Sequence, residues 1–184
     1  MHAFAFVLLT ATTLVACHPA SERPETSTAV LTSAATSQDT TGKVVRTDAE
    51  WKAILTPQQY NVLRKKGTDM PFTGKYTNTR EKGTYYCSGC GQALFSSDMK
   101  FPSECGWPSF DRELAGDRIT TIVDRTHGMV RTEILCARCG SHLGHLFDDG
   151  PTITGQRYCV NSTSLEFRKA DEAKDKEAAP MKKP

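Results

Sequence analysis

The stretch CSGCGQAL at residues 87–94 recurs as CARCGSHL at 136–143, with Cys, Cys, Gly and Leu at the same four places. Two such CxxC turns brought together present four thiolates, the tetrahedral set that a structural zinc holds at about 2.3 Å per bond. A chain that must close this site has little freedom over where its two halves meet. Gly91 and Gly140 suit the turn after the second sulfur, because glycine accepts positive φ. Cys87, Cys90, Cys136 and Cys139 are therefore assigned to one structural Zn2+ with no open position for substrate. The competing readings are two local disulfides, which an oxidising compartment would favour, and a thioredoxin-like redox CxxC. The duplication argues for metal: one site needs both halves, whereas a redox motif needs one copy. The gap between the copies exceeds the roughly 15–20 residues of compact zinc ribbons.

With 184 residues the chain is expected to form one folded domain. Residues 1–16, MHAFAFVLLTATTLVA, are apolar but shorter than the about 20 residues of a membrane span, and read as a signal peptide. Leu14-Val15-Ala16-Cys17 resembles a bacterial lipobox, which makes Cys17 the lipidated N-terminus of an exported, membrane-anchored lipoprotein facing the periplasm or cell exterior. The lack of Lys or Arg at the start departs from ordinary signals, and a plain secretory signal cut near Ala16 or Ala20 is the other reading. Residues 17–46 continue as a flexible tether rich in Ser, Thr, Ala and Pro.

The domain proper is expected over 47–168. Thr47-Asp-Ala-Glu50 is a capping box opening a helix with Trp51, Ile54 and Leu55. Thr56-Pro57-Gln58-Gln59 opens a second helix, closed by Gly67. Runs rich in β-branched and aromatic residues follow at 82–87, 92–96, 118–123, 129–136, 143–147 and 158–167, separated by turn residues. The fold class is thus mainly antiparallel β with short N-terminal helices. The charged tail 169–184 reads as disordered. A formal net charge of +2 is too mild for a nucleic-acid binder, and no nucleic-acid partner is expected.

Of seven cysteines, Cys105 and Cys159 remain once Cys17 and the knuckles are assigned. A structural disulfide, or two buried small apolar residues, is the ordinary reading. Their surroundings favour a reactive pair. The Arg157 cation would stabilise a Cys159 thiolate, and Asn161 shares the sulfur's face if the segment is a strand. Cys105 lies in SECGWPSF, a Gly-Trp-Pro loop too irregular for a strand. A thiol on a strand and another on a loop are the parts needed for sulfenic acid formation followed by disulfide closure. Both readings stay open on these grounds.

PFTGKY (71–76), SECGWPSF (103–110), THGMVRTE (126–133), HLGHLF (142–147) and GQRYCVNSTSL (155–165), with both CxxC pairs in order, resemble the type B methionine sulfoxide reductases across 47–168. The resemblance implies two antiparallel sheets and a monomer that reduces methionine-(R)-sulfoxide in oxidised proteins. Cys159 would be the nucleophile that becomes a sulfenic acid and Cys105 the resolving thiol, with a thioredoxin-like dithiol recycling the disulfide. Trp107 would hold the substrate methyl, His145 and Asn161 would bind or protonate the sulfoxide oxygen, and His142 would help shape the same site. Glu104 stands where the family often has Gly, and Met70 where it has Pro.

Blander readings accompany these. His142 and His145 could be metal ligands or structural imidazoles, Trp107 a core residue, and His127 a turn brace. Asn161-Ser-Thr163 fits a glycosylation acceptor, a frequent chance pattern that the bacterial lipobox argues against. A zinc-ribbon interaction module leaves Cys105, Trp107, His145 and Cys159 unexplained. A disulfide-handling oxidoreductase calls for a CxxC beside a βαβ pattern, which the sequence lacks.

Overall fold

The structure, a computed structural model, describes residues 42–170. The expected signal peptide, Cys17, most of the tether and nearly all of the charged tail lie outside the described residues. Helices α1 (Asp48–Ile54) and α2 (Pro57–Lys65) begin where their caps place them. Glu50 N–H donates to Thr47 Oγ1 at 3.3 Å while Thr47 N–H donates back to Glu50 at 2.7 Å, and Thr56 and Gln59 repeat the exchange at 3.2 and 3.0 Å. The left-handed residue that ends α2 is Lys66 (φ 58°), one position before the glycine expected to close it. Trp51, Val62 and Leu63 turn inward. Residues 43 and 44, expected within the tether, lie against the second knuckle: Val44 is buried and its N–H donates to Arg138 O at 2.8 Å.

The strands are β1 (Gly83–Cys87), β2 (Ala93–Ser96), β3 (Lys100–Phe101), β4 (Ser109–Phe110), β5 (Ile119–Asp124), β6 (Arg131–Cys136), β7 (His142–Phe147), β8 (Arg157–Val160) and β9 (Leu165–Lys169). They form a three-stranded sheet ordered β2-β1-β9 and a six-stranded sheet ordered β3-β4-β8-β7-β6-β5. The strand pairs are antiparallel throughout the described residues, so the mainly β, two-sheet fold is the one expected.

Aromatic rings join the sheets. Phe95 of β2 stacks on Phe110 of β4 at 4.2 Å between centroids, and Tyr85 of β1 meets Phe110 edge-on at 5.0 Å. Both geometries are ones aromatic pairs prefer, which fixes the sheets against each other beyond simple burial.

Two differences from the sequence reading concern the segments nearest the paired cysteines. The run 158–167 is two strands in different sheets, β8 and β9, linked by a 3-10 turn at Ser162–Ser164. Buried side chains take backbone partners there: Asn161 Oδ1 accepts from Asp69 N–H at 2.9 Å, Ser162 Oγ accepts from Tyr76 N–H at 3.2 Å, and Ser164 Oγ donates to His142 O at 2.9 Å. Short polar side chains that bond the backbone offer it an alternative to the ladder. The strands β3 and β4, each two residues long, were not expected, because two residues show no alternation.

The register of the large sheet puts Ser109, Cys159, His145 and Glu133 directly opposite one another across β4, β8, β7 and β6. Directly paired residues project from the same face of an antiparallel sheet. The next row along that face contains Arg157 opposite Phe147, and Arg131 opposite Asp124.

Candidate active site

The four knuckle sulfurs lie within 4.8 Å of one another and form, among the described residues, the one cluster suited to a metal ion. Cys87 Sγ is 3.7 Å from Cys139 Sγ, and Cys90 Sγ is 3.6 Å from Cys136 Sγ. A tetrahedron with metal–sulfur bonds of about 2.3 Å has edges of about 3.8 Å, whereas a disulfide spans about 2.05 Å. The donor set therefore fits a metal, and sulfur contacts cross from one knuckle to the other. Gly91 (φ 73°) and Gly140 (φ 67°) make the turns that the repeat requires. Hydrogen bonds among the sulfurs, aided by burial, push Cys87 and Cys136 above the usual thiol range, while hydrogen bonds draw Cys90 and Cys139 below it against the effect of burial. A bound dication removes that conflict by stabilising all four thiolates. With protein on all four positions, the ion would hold the fold and leave substrate no open site.

The remaining two thiols meet elsewhere. β8 holds Cys159, β4 begins just after the Cys105 loop, and Cys105 Sγ sits 3.6 Å from Cys159 Sγ. Ser109 Oγ lies 3.4 Å from Cys105 Sγ, and Ser103 Oγ accepts from Cys105 N–H at 3.4 Å. The pair loses its first proton readily, since the remaining thiol hydrogen-bonds to the thiolate: Cys105 is drawn down to about 4, by Cys159 first and then by Ser103 and Ser109. Cys159 correspondingly moves up, chiefly through Cys105 and burial. Arg157 pulls Cys159 toward the thiolate as the sequence suggested, but the nearer sulfur outweighs it. Two Arg157 bonds to Asp149, at 2.7 and 2.8 Å, and a 4.4 Å approach to the Phe147 ring fix that cation in place.

Cys159 opens into a cavity of about 100 Å³ lined by Thr68, Trp107, Arg131, Gly144, His145, Phe147 and Asn161. This is small beside the roughly 300–1,000 Å³ of drug-sized sites and suits a side-chain terminus. Trp107 Nε1 donates to Asp69 O at 2.9 Å, which fixes its indole at the cavity wall. His145 Nε2 lies 2.9 Å from Asp124 Oδ2, and Arg131 donates to the same oxygen at 2.6 Å. Thr126, then His145 and Arg131, hold Asp124 well below the ordinary carboxylate range. The Asn161 amide lines the cavity while also donating to Leu143 O at 3.2 Å. His142 is not among the lining residues: it packs edge-on against His145 at 5.6 Å, with Nδ1 2.7 Å from the buried Glu133, whose other oxygen takes Lys66 Nζ at 2.7 Å. Burial holds the His142 imidazole below its usual pKa. His127 lies in the left-handed region (φ 55°) of a 3-10 turn.

Gly144 positions this arrangement. A Cβ there would stand 2.0 Å from Cys159 O, so β7 reaches β8 at Cys159 only because that α carbon is bare.

The SelR domain model matches residues 55–169. The chain belongs to the SelR family. These are the type B methionine sulfoxide reductases indicated by the motifs, and the chain is an oxidoreductase of that type. The peptide methionine sulfoxide reductase MsrB of Hahella chejuensis is 57% identical over 129 residues, covering 70% of this chain and 93% of that one. The protein of the same name from Acinetobacter baumannii strain ATCC 17978 is 56% identical over 139 residues, or 76% and 99% of the two chains. The one from Methanosarcina mazei is 54% identical over 136 residues, or 73% and 97%.

Within this SelR domain the structure adds residues that the sequence reading did not single out. Asp69 is buried and ties four groups together: its carboxylate accepts from Thr163 N–H at 2.8 Å and Thr163 Oγ1 at 2.6 Å, its N–H reaches Asn161, and its carbonyl takes Trp107. Arg131 and Glu133 stood inside the quoted motif THGMVRTE. Their alternation on a strand was the signal that both face the same side. Phe147 carried no polar label to mark it, and Asp124 becomes relevant only through the β5–β6 pairing.

Proposed function

We propose that the protein reduces the R epimer of methionine sulfoxide in oxidised proteins through a Cys159 sulfenic acid. The observation that carries this reading is the 3.6 Å approach of Cys105 Sγ to Cys159 Sγ beside a small cavity walled by Trp107 and His145. With its proton passed to the neighbouring Cys105 thiolate, Cys159 attacks the sulfoxide sulfur while the oxygen takes up one proton. Oxygen passes to Cys159 as S–OH and the thioether leaves, two electrons having moved from the cysteine to the substrate. Trp107 and Phe147 hold the methyl against aromatic surface, which sulfur and its substituents favour. His145 and Asn161 serve the oxygen as it gains charge, the stage at which positioned donors lower the barrier. Asp124 anchors His145, and Arg131 supplies positive charge at the same wall. Cys105 then displaces water from Cys159, and a thioredoxin-like dithiol reduces the disulfide.

The knuckle ion in this reading is Zn2+, for which four thiolates in a tetrahedron are the usual structural set. The lipobox at Cys17 supports export and membrane anchoring outside the cytoplasm.

The test is a single turnover without external thiol. Peptide carrying the R sulfoxide is expected to yield one methionine per chain and a protein two hydrogens lighter, with the bridge mapping to positions 105 and 159. Cys105→Ser is expected to give the methionine without the bridge, and Cys159→Ser neither. Equal turnover of the S epimer, or a bridge elsewhere, overturns the reading.

A further inference from the structure

A second concave surface shares no lining residue with the cavity at Cys159. It encloses about 280 Å³ between the turn at 77–80, the start of the 97–99 3-10 turn, β3 and the segment leading to Cys105. Its walls include two cations, Arg80 and Lys100, and no carboxylate. Asp98 and Glu104 lie on the same segments without lining it, and Glu81 is taken by Lys169 at 2.9 Å. Among the described residues Arg80 makes no hydrogen bond or ion pair, and Lys100 has one partner, Thr77 O at 2.9 Å. Two hydroxyls complete the set. Ser97 Oγ accepts from Gly83 N–H at 3.2 Å and Ser103 Oγ from Cys105 N–H, so each keeps its own O–H to donate. Burial, then Arg80, holds Lys100 below its usual pKa, a like-charge conflict that an anion between them would relieve.

We propose that this surface binds a carboxylate of the dithiol protein that reduces the Cys105–Cys159 disulfide. The inference rests on the redox cycle proposed above. The location selects the reductant over the oxidised substrate. Ser103 in the wall bonds the backbone of Cys105, and β3 stands two strands from Cys159 through the register Phe101–Ser109–Cys159. Two strand spacings amount to about 10 Å. A partner with an acidic side chain that far from its attacking sulfur would reach the disulfide with its charge seated. The substrate methyl, in the function proposed above, sits among Trp107, His145 and Phe147, none of which lines this surface.

The experiment uses the full chain with an R-sulfoxide peptide and compares two reductants, thioredoxin and dithiothreitol. Arg80 is exposed, so Arg80→Glu should fold normally. It is expected to raise the KM for thioredoxin about tenfold, as charge reversal at a docking rim does. Dithiothreitol-driven turnover should stay unchanged, and Arg80→Lys should restore thioredoxin use. Sodium sulfate should compete with thioredoxin beyond the effect of sodium chloride at equal ionic strength, and should not affect the dithiothreitol reaction. An unaltered KM for thioredoxin in Arg80→Glu overturns the proposal. So does a raised KM for acidic peptide under dithiothreitol, which would assign the carboxylate to the substrate. No turnover of wild type with dithiothreitol would remove the redox cycle itself and this docking with it.

Discussion

Cys105 and Cys159 hold one readily lost proton between them, and which neighbour remains decides how acidic the survivor is. With Cys105 drawn down to about 4, the pair carries one thiolate throughout the neutral range and loses it only as pH falls through that value. The second ionisation is pushed far into alkali, because it would place two charges 3.6 Å apart. A difference titration of thiolate absorbance against Cys105→Ala/Cys159→Ala should show one acidic step. Replacing Cys159 by Ala removes the S–H donor and should return Cys105 toward an ordinary thiol, near 9.

Asp69 gives a second test on the same scale. Asp69→Ala deletes two hydrogen bonds from a buried carboxylate, and bonds to charged groups contribute about 1.5–3 kcal/mol each. Denaturant unfolding should show a loss of about 3–6 kcal/mol, and the KM for sulfoxide should rise because the backbone of residue 69, which holds Trp107 and Asn161, loses its side-chain tether to Thr163. The residues brought together at the candidate site were legible in the sequence because cysteine, tryptophan and histidine announce their chemistry. Asp69, Asp124 and Glu133 were not, since a carboxylate's task depends on what long-range folding sets beside it.

Among the elements, β7 and β8 set the distance between His145 and Cys159, and Gly144 permits their approach. Gly144→Ala forces a methyl onto the Cys159 carbonyl, and overpacking of this kind costs about 1–3 kcal/mol. A lowered Tm is expected, together with a fall in kcat exceeding that of a similarly destabilised variant such as Val62→Ala, whose side chain is buried in α2 away from the cavity. The helices were readable because capping boxes are local, and the longer strands because alternation is too. The break at Asn161–Ser164 was hidden inside a strand-like run: it depends on Asp69, Tyr76 and His142, residues remote in sequence. β3 and β4 exist through their partners alone.

For the whole molecule the four-cysteine cluster, placed to hold a metal ion, ties the two halves of the chain together. Removing the ion should leave four crowded thiols that cannot all ionise, and structural sites of this kind contribute folding free energy directly. Chelation under reducing conditions is expected to lower the Tm substantially and to abolish activity, although no knuckle residue lines the cavity at Cys159. Cys139→Ser should do the same, and re-addition of Zn2+ should rescue only the chelated wild type. Thermal scans with metal analysis decide this.

Because each knuckle supplies two of the four sulfurs, and contacts join Cys87 to Cys139 and Cys90 to Cys136, neither half of the chain can complete the cluster alone. During synthesis, the first pair must wait until residue 139 has left the ribosome. Ion capture is then a late step of maturation, and a polypeptide truncated before that point would carry its early thiols as a bare pair, open to oxidation.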